Sequence, residues 1–494
     1  MRHLLKNFLI LAVVACAMTA CDPNDDKLEV SGEAKMMSFG FYAADNTGVL
    51  YQDCAVLDTT TKTWTVYVPK QVDKTHLVAR FAVTENDSVT VNGVGQVSGV
   101  TANDYSAPID FYVTDGKNNV RYTITVAAAA DFTWSESASF TTDSVLSFMM
   151  KVNPVDGNPY IVYKQKRTVT DDQKAAMIKL VNGEWGYVGT SAGLSLGRIG
   201  NYYDFTFNKN GAPYVAYADY LATTAQTASV RTFNGTEWTN VGAQGLTTTA
   251  ITYTGMSFAP DDKLFLFGVN NAAGALAKRE LNVSFFDGTA WTTNTTIPGR
   301  TAAQYSFWPI TKKVNGVLYL AVLNAVTPAT FSVYSYTNGT WTTIVDNKIH
   351  EGATTSNLRD FDMDVDKDGN IFIAVADNAT GVIYKPRVMK YTAATKVWSD
   401  VGDVIDVNID DVRQFDLAVS PYGVPFVLYR NASQYPTVIS LDTETQQWTE
   451  AHVLDPVVAN DLSLGFTPNG EAFASFSTSN SRIRNFKYAA VAAK

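Results

Sequence analysis

A tryptophan returns about every 50 residues along most of this chain. Six fall at 185, 238, 291, 341, 398 and 448, and Trp134 stands one further period upstream. Each follows a turn and opens a short β-type run, as in IKLVNGEWGYVG (178–189), VRTFNGTEWTNVG (230–242), VSFFDGTAWTTN (283–294) and VYSYTNGTWTTI (333–344). A repeat of this length made of strands is one four-stranded blade of a propeller. A lone meander cannot bury both faces, so it must stack on copies of itself. The second repeat reads as YYDFTFN (202–208), PYVAYAD (213–219), SVRTFN (229–234) and EWTNVG (237–242).

The last repeat, LSLGFTPNGEAFASFSTSN (462–480) followed by RIRNFKYAA, has three strands and no tryptophan strand. DFTWSES (131–137) is a tryptophan strand with nothing before it. Joining the two gives seven blades, the last closed by strands from both ends of the segment, and it removes an open sheet edge. Reading 131–137 as a linker gives six. Hydrophobic residues at 46% and charged residues at 17% suit a folded chain. Helix-period stripes are absent after residue 20. The expected fold class is all-β, a β-sandwich at 28–128 followed by a β-propeller at 131–494.

In the sandwich segment TWTVYVP (63–69), HLVARFAVT (76–84), IDFYVTD (109–115) and RYTITVA (121–127) are strands bounded by turn residues. Asp115-Gly116 begins a hairpin turn that puts Tyr122, Ile124 and Val126 on one face.

The repeat decides where a site can form. In an up-and-down blade the first–second and third–fourth turns share one face of the ring, and here they are short: KNG, KDG, PYG, PNG, NGT. The other face collects long loops at 164–176, 218–228, 270–281, 346–358 and 377–386, the usual place for binding. Strand ends there supply candidate ligand-binding residues: Tyr202, Asp219, Tyr220, Arg359, Asp360, Asp377, Arg413 and Arg430, with Lys164, Asn271 and Tyr305 on the same rim. Aromatic rings beside amide, carboxylate and guanidinium groups suit a sugar.

Catalytic and metal signals are weak. Asp364, Asp366 and Asp368 alternate before Gly369 as in a calcium loop, but Val375 stands where that loop needs a bidentate Glu, so a plain turn is expected. Asp360, Asp362, Asp377, Asp416 and Asp461 could supply a glycosidase pair. Asp204, Asp362 and Asp416 recur at one position of the repeat, which favours a structural role. No catalytic residue, metal site or cofactor is expected. The formal charge of −10 without basic runs excludes nucleic acid as a partner and favours neutral or cationic ligands.

The N-terminus reads as an address. Arg2 and Lys6 precede an apolar core from Phe8 to Ala15, and the segment ends in AMTAC at Cys21. AMTAC resembles the lipobox of bacterial lipoproteins, which implies a signal peptide at 1–20 and lipidation at Cys21. Losing Arg2 and Lys6 would bring the charge from −10 to −12. DPNDDKLEV then resembles the acidic export signal of surface lipoproteins in Gram-negative gut anaerobes, with 21–27 as a tether. A solvated linker in a periplasm-facing protein is the alternative. VSGVTANDYSAPIDFYVTDGKNNVRYTITV (97–126) resembles immunoglobulin-like modules that act as spacers in such proteins. The period and LDTETQQW (441–448) resemble kelch propellers, although no Gly-Gly doublet occurs. Together these imply an outer-membrane lipoprotein held by lipid alone, with a glycan or an envelope protein as partner and a glycoside-active enzyme as a third reading.

Overall fold

The computed structural model describes residues 34–56, 59–129, 133–166, 173–221, 225–349, 360–376, 384–409 and 414–489. Apart from one 3-10 turn at Ala302–Gln304, every regular element among them is a strand. Residues 34–128 form two sheets. Met36–Phe41 pairs with Cys54–Ala55 and Leu77–Val83, and Ala102–Asn103 extends that sheet. The other sheet orders Thr63–Val68, Asn119–Ala128, Ile109–Thr114, Ser88–Val91 and Val94–Gly95, its first two strands running parallel. They share one core, where Phe39, Phe41, Tyr105 and Phe111 meet edge-on and Trp64 packs on Tyr122. The hairpin turn closes as Asp115 accepts the backbone N–H groups of Lys117 and Asn118 at 2.8 and 2.6 Å.

Seven four-stranded antiparallel sheets follow. Numbered along the chain as blades 1 to 7, they begin at residues 145, 199, 251, 306, 360, 415 and 459. The last is completed by Thr133–Phe140, which pairs with Ile483–Ala489 from Thr133 opposite Ala489 to Phe140 opposite Ile483. The first strands of successive blades touch in a cycle, that of blade 7 lying against that of blade 1, so the sheets close a ring. Second strands are covered on both faces by neighbouring blades. Accordingly PYIVYKQ (Pro159–Gln165), LFLFGVN (Leu264–Asn270) and IFIAVA (Ile371–Ala376) are buried without alternation.

The tryptophans mark the seams between blades. Trp238 donates its indole N–H to Val188 O of the preceding blade at 2.8 Å, Trp291 to Val241 O at 2.7 Å, and Trp448 to Asp403 O at 2.7 Å. Trp341 and Trp398 instead lie edge-on against Phe265 and Phe331 of the blade before. In blade 6 the ring does not begin the outer strand. The turn after Leu441 is longer, so Trp448 makes one bridge to Leu441 and pairing resumes at His452–Val453.

First strands are the inner edges of their sheets, and side-chain oxygens of adjacent blades satisfy some of their unpaired N–H groups. Asp204 accepts the N–H of Met256, Asp362 that of Leu417, Asp364 that of Val419 and Asp416 that of Leu464, all at 2.7 Å. These aspartates join blade to blade. The loop DMDVDKDG is likewise a turn: Asp366 accepts the N–H groups of Asp368 and Asn370, both at 2.9 Å.

The two-sheet domain rests on the short-turn face. Tyr422, in the first–second turn of blade 6, belongs to both its own blade's core and that of the N-terminal domain, and it meets Tyr51 edge-on at 5.0 Å. Lys70 reaches Glu444 at 3.5 Å and Asp442 at 3.9 Å in a third–fourth turn of the same face. The long-loop face is on the far side of the ring.

Candidate functional site

On the long-loop face, across blades 1 to 3, lies a cleft of about 310 Å³ lined by Lys164, Arg198, Gly200, Asn201, Tyr202, Tyr220, Gln226, Thr252, Asn271 and Arg279. The elements that build it are strand ends and links. Lys164 closes the second strand of blade 1, and Arg198 is in the link that follows blade 1. Gly200, Asn201 and Tyr202 open the first strand of blade 2, and Arg279 ends the loop before the third strand of blade 3.

The first strands of blades 2, 3 and 4 all lose register where they reach this rim, between Ile199 and Tyr203, Thr252 and Gly255, and Phe307 and Ile310. Such bulges re-aim side chains. Tyr253 and Trp308 adopt left-handed backbone, with φ of 50° and 38°, a conformation that bulky residues hold only where their surroundings impose it. The result is a row of half-buried rings: Tyr202 meets Tyr253 at 4.8 Å, Tyr253 meets Phe307 at 4.9 Å, and Trp308 lies edge-on to Tyr253 at 5.9 Å.

Cations are seated among these rings. The Arg198 guanidinium lies 4.8 Å from the Tyr220 ring, and Arg279 lies 4.6 Å from Phe307 and 5.9 Å from Tyr253. Lys164 is almost wholly buried and gives its ammonium to Asn201 Oδ1 at 2.9 Å. Burial, with the charge of Arg198 adding to it, brings the Lys164 ammonium down to about 8. Tyr253 is pushed up to about 12, mainly by burial. Gln226 donates to the Tyr220 hydroxyl and fixes that ring's far edge.

Of the residues expected on the rim, Tyr202 and Tyr220 line the cleft, as do Lys164 and Asn271. Asp219 does not. It is 1% exposed beneath Tyr220, accepting from the Ser229 hydroxyl at 2.7 Å, Leu221 N–H at 2.8 Å and the Gln244 amide at 2.9 Å. Asp219 is the last residue of a strand buried on both faces, and Tyr220 stands just beyond its end. Asp360 is also inward, its carboxylate taking the N–H groups of Gln414 and Phe415 at 2.8 and 3.2 Å. Arg430 spans to blade 7 and donates to Ala459 O at 3.1 Å. Both serve blade seams remote from the cleft. Arg359, Asp377, Arg413 and Cys21 lie outside the described residues.

Two carboxylates of the glycosidase set, Asp362 and Asp416, form a hydrogen-bonded pair at the seam of blades 5 and 6. Burial raises the proton affinity of both, and the charge of Asp362 raises Asp416 further. Each is already committed to a backbone N–H of the following blade. Among the described residues no cluster of three or more His, Cys, Asp or Glu side chains could hold a metal ion. Cys54 is buried, and its thiol is pushed up to about 11 by that burial, so it is a core residue rather than a nucleophile.

Arg198, Asn201, Gln226, Thr252 and Arg279 were not foreseen. The first and last stand in links and loops, where no strand periodicity places them. Their signal was a cation close before a strand in two long loops of one rim.

A family model described as SGBP, N-terminal (surface glycan-binding protein) matches residues 48–126, within the two-sheet domain. No curated protein matches the chain in sequence. Several solved structures are similar to it in part, at low identity. The BP39L lectin from Burkholderia pseudomallei is 11% identical over 71% of this chain and 99% of its own, with a TM-score of 0.49. An ulvan lyase is 12% identical over 70% and 94%, with a TM-score of 0.47. The lectin of the fungus Aleuria aurantia, described as six-bladed, is 10% identical over 72% and 96%, with a TM-score of 0.39.

Proposed function

We propose that this chain is a surface lipoprotein whose ring binds glycan in the cleft between blades 1 and 3. The cleft itself carries the reading. Tyr202 and Tyr220 offer ring faces within a bowl of amides, hydroxyl and guanidinium groups. A sugar has apolar CH faces that stack and hydroxyl edges that need fixed donors and acceptors, and a cleft of a few hundred Å³ takes one to a few such units. The match of residues 48–126 to the SGBP N-terminal model supports the same reading from the other end of the chain. In this reading residues 1–20 are a signal peptide, Cys21 carries lipid, 21–27 is a tether, and the two-sheet domain spaces the ring from the outer membrane.

Titration of the chain against a panel of oligosaccharides tests the site. Binding that falls about tenfold or more with Tyr220→Ala, a loss of the size one stacking ring supplies, is the expected result. The reading fails if no glycan in the panel binds at millimolar concentration. Protease shaving of intact cells tests the address: the ring is expected to be cleaved on wild-type cells, and the Cys21→Ser chain to leave the membrane fraction.

A further inference from the structure

We infer that the cleft selects an anionic sugar, one bearing a carboxylate or a sulfate ester, a conclusion that rests on the glycan reading and narrows it. Three of its ten lining residues, Lys164, Arg198 and Arg279, are cations, and none is acidic. The chain as a whole runs the other way, with 48 Asp and Glu against 38 Lys and Arg.

Several cations elsewhere on the ring are held by carboxylates. Lys151 reaches Asp204 at 2.6 Å, Lys312 reaches Asp364 at 2.6 Å, Lys263 reaches Asp261 at 2.7 Å, and Lys487 reaches Glu471 at 2.7 Å. The three in the cleft form no ion pair with any described carboxylate. Their contacts are neutral: Asn201 for Lys164, the Tyr220 ring for Arg198, and the Tyr253 and Phe307 rings for Arg279. Arg279 also donates to the Thr252 hydroxyl at 3.5 Å, again a neutral partner, and a guanidinium held by its face presents donors suited to planar carboxylate and to sulfate.

Lys164 makes the argument sharper. A mostly buried ammonium beside a second cation is unfavourable by both desolvation and repulsion. An anion in the cleft would offset both terms at once, whereas a neutral sugar would add desolvation without relief. The net negative charge does not oppose this, because charges more than a Debye length of about 8 Å away are screened at physiological salt.

Isothermal titration of the detergent-solubilised full chain tests the inference with three sets of probes. These are oligogalacturonides, sulfated hexasaccharides from heparin, and neutral cello- and xylo-oligosaccharides of matched length. At least one acidic set is expected to bind about tenfold or more tightly than the neutral set. That binding should weaken as NaCl rises from 50 to 300 mM. Arg198→Gln and Arg279→Gln should each cost it about tenfold or more, the range of a lost charged hydrogen bond. Arg279→Lys should retain part of the affinity, and Lys209→Gln on the opposite face all of it. Circular dichroism melts of each variant confirm that the ring is folded. Neutral sugars binding as tightly, with both glutamine variants unaffected, overturn the inference and leave the glycan reading standing. Inorganic sulfate competing at the same concentration as the sulfated sugar overturns it as well, reducing the cleft to an anion site. Binding by no probe in any set overturns both.

Discussion

Lys164 is held in a state that works against the fold. Burial and Arg198 lower its proton affinity to about 8, so below that pH the folded chain carries a charge it disfavours. An unfolded lysine stays protonated to about 10.4. The sign follows: Lys164 subtracts stability at neutral pH, and that penalty fades as pH rises through about 8 toward the unfolded value. Lys164→Met is therefore expected to raise the Tm at pH 7 while weakening binding of an acidic glycan. In the unmodified protein that binding should fall as pH rises through about 8, and the methionine variant should lose this step. The groups that act on the ammonium are Arg198 through its charge and Asn201 through a hydrogen bond, and no acidic residue lines the cleft. A methionine variant with lower Tm and unchanged affinity would show that Lys164 is a structural residue. Residues poised between stability and ligand in this way are common at binding sites.

At the scale of the strand, the repeated phrase explains more than the ring it contains. The sequence W-x-x-V-G ends blades 1, 2 and 5, and its glycine lies under the next blade's tryptophan. A Cβ on Gly242 would stand 2.5 Å from Trp291 Cδ1, one on Gly189 2.9 Å from Trp238 Nε1, and one on Gly402 2.5 Å from Trp448 Nε1. Gly242 also has a φ of +85°. Gly242→Ala is expected to cost about 2–4 kcal/mol in urea unfolding, from overpacking added to backbone strain. Gly235 has a φ of +99° but nothing within 4 Å, so Gly235→Ala should cost only the strain, about 1–2 kcal/mol. Equal costs at the two positions would dismiss the socket.

The same strands show why the fold was legible and the cleft only partly so. Each tryptophan sits where one blade meets the last, so packing forces its period into the sequence. The inward Asp204, Asp362 and Asp416 recur because every first strand has the same edge to satisfy. Tyr202 and Tyr220 could be placed on the rim because they stand at the ends of strands whose other ends are marked by readable turns. Asp219 points inward because its strand is buried on both faces, and no alternation in the sequence marks its direction. Tyr253 and Trp308 were hidden because a bulge breaks the period of two that would have shown their direction. Arg198 and Arg279 belong to loops, where side-chain direction follows from tertiary contacts rather than from spacing.

For the whole molecule, the position of the two-sheet domain sets the direction in which the cleft faces. The domain's contacts are with turns at Tyr422 and at Asp442 and Glu444, all on the short-turn face. The cleft opens on the other face, so a chain tethered at its N-terminus would present the cleft away from the tether. The exposed Lys70 ion pairs add little to this, and the coupling depends on Tyr422, which packs against the N-terminal core cluster and meets Tyr51 as well as packing in blade 6. Removing it takes away the aromatic contact between the two bodies. Tyr422→Ala is therefore expected to split a single calorimetric transition into two and to enlarge the radius of gyration in small-angle scattering. Glycan affinity in solution should change by less than about twofold, a difference below 0.5 kcal/mol, because no cleft residue touches the junction. On cells the same variant should bind insoluble glycan less well, since a freely pivoting ring no longer holds its cleft outward. If the variant keeps one transition and an unchanged radius, the junction is held by more than Tyr422, and the outward cleft must be credited to the tether alone.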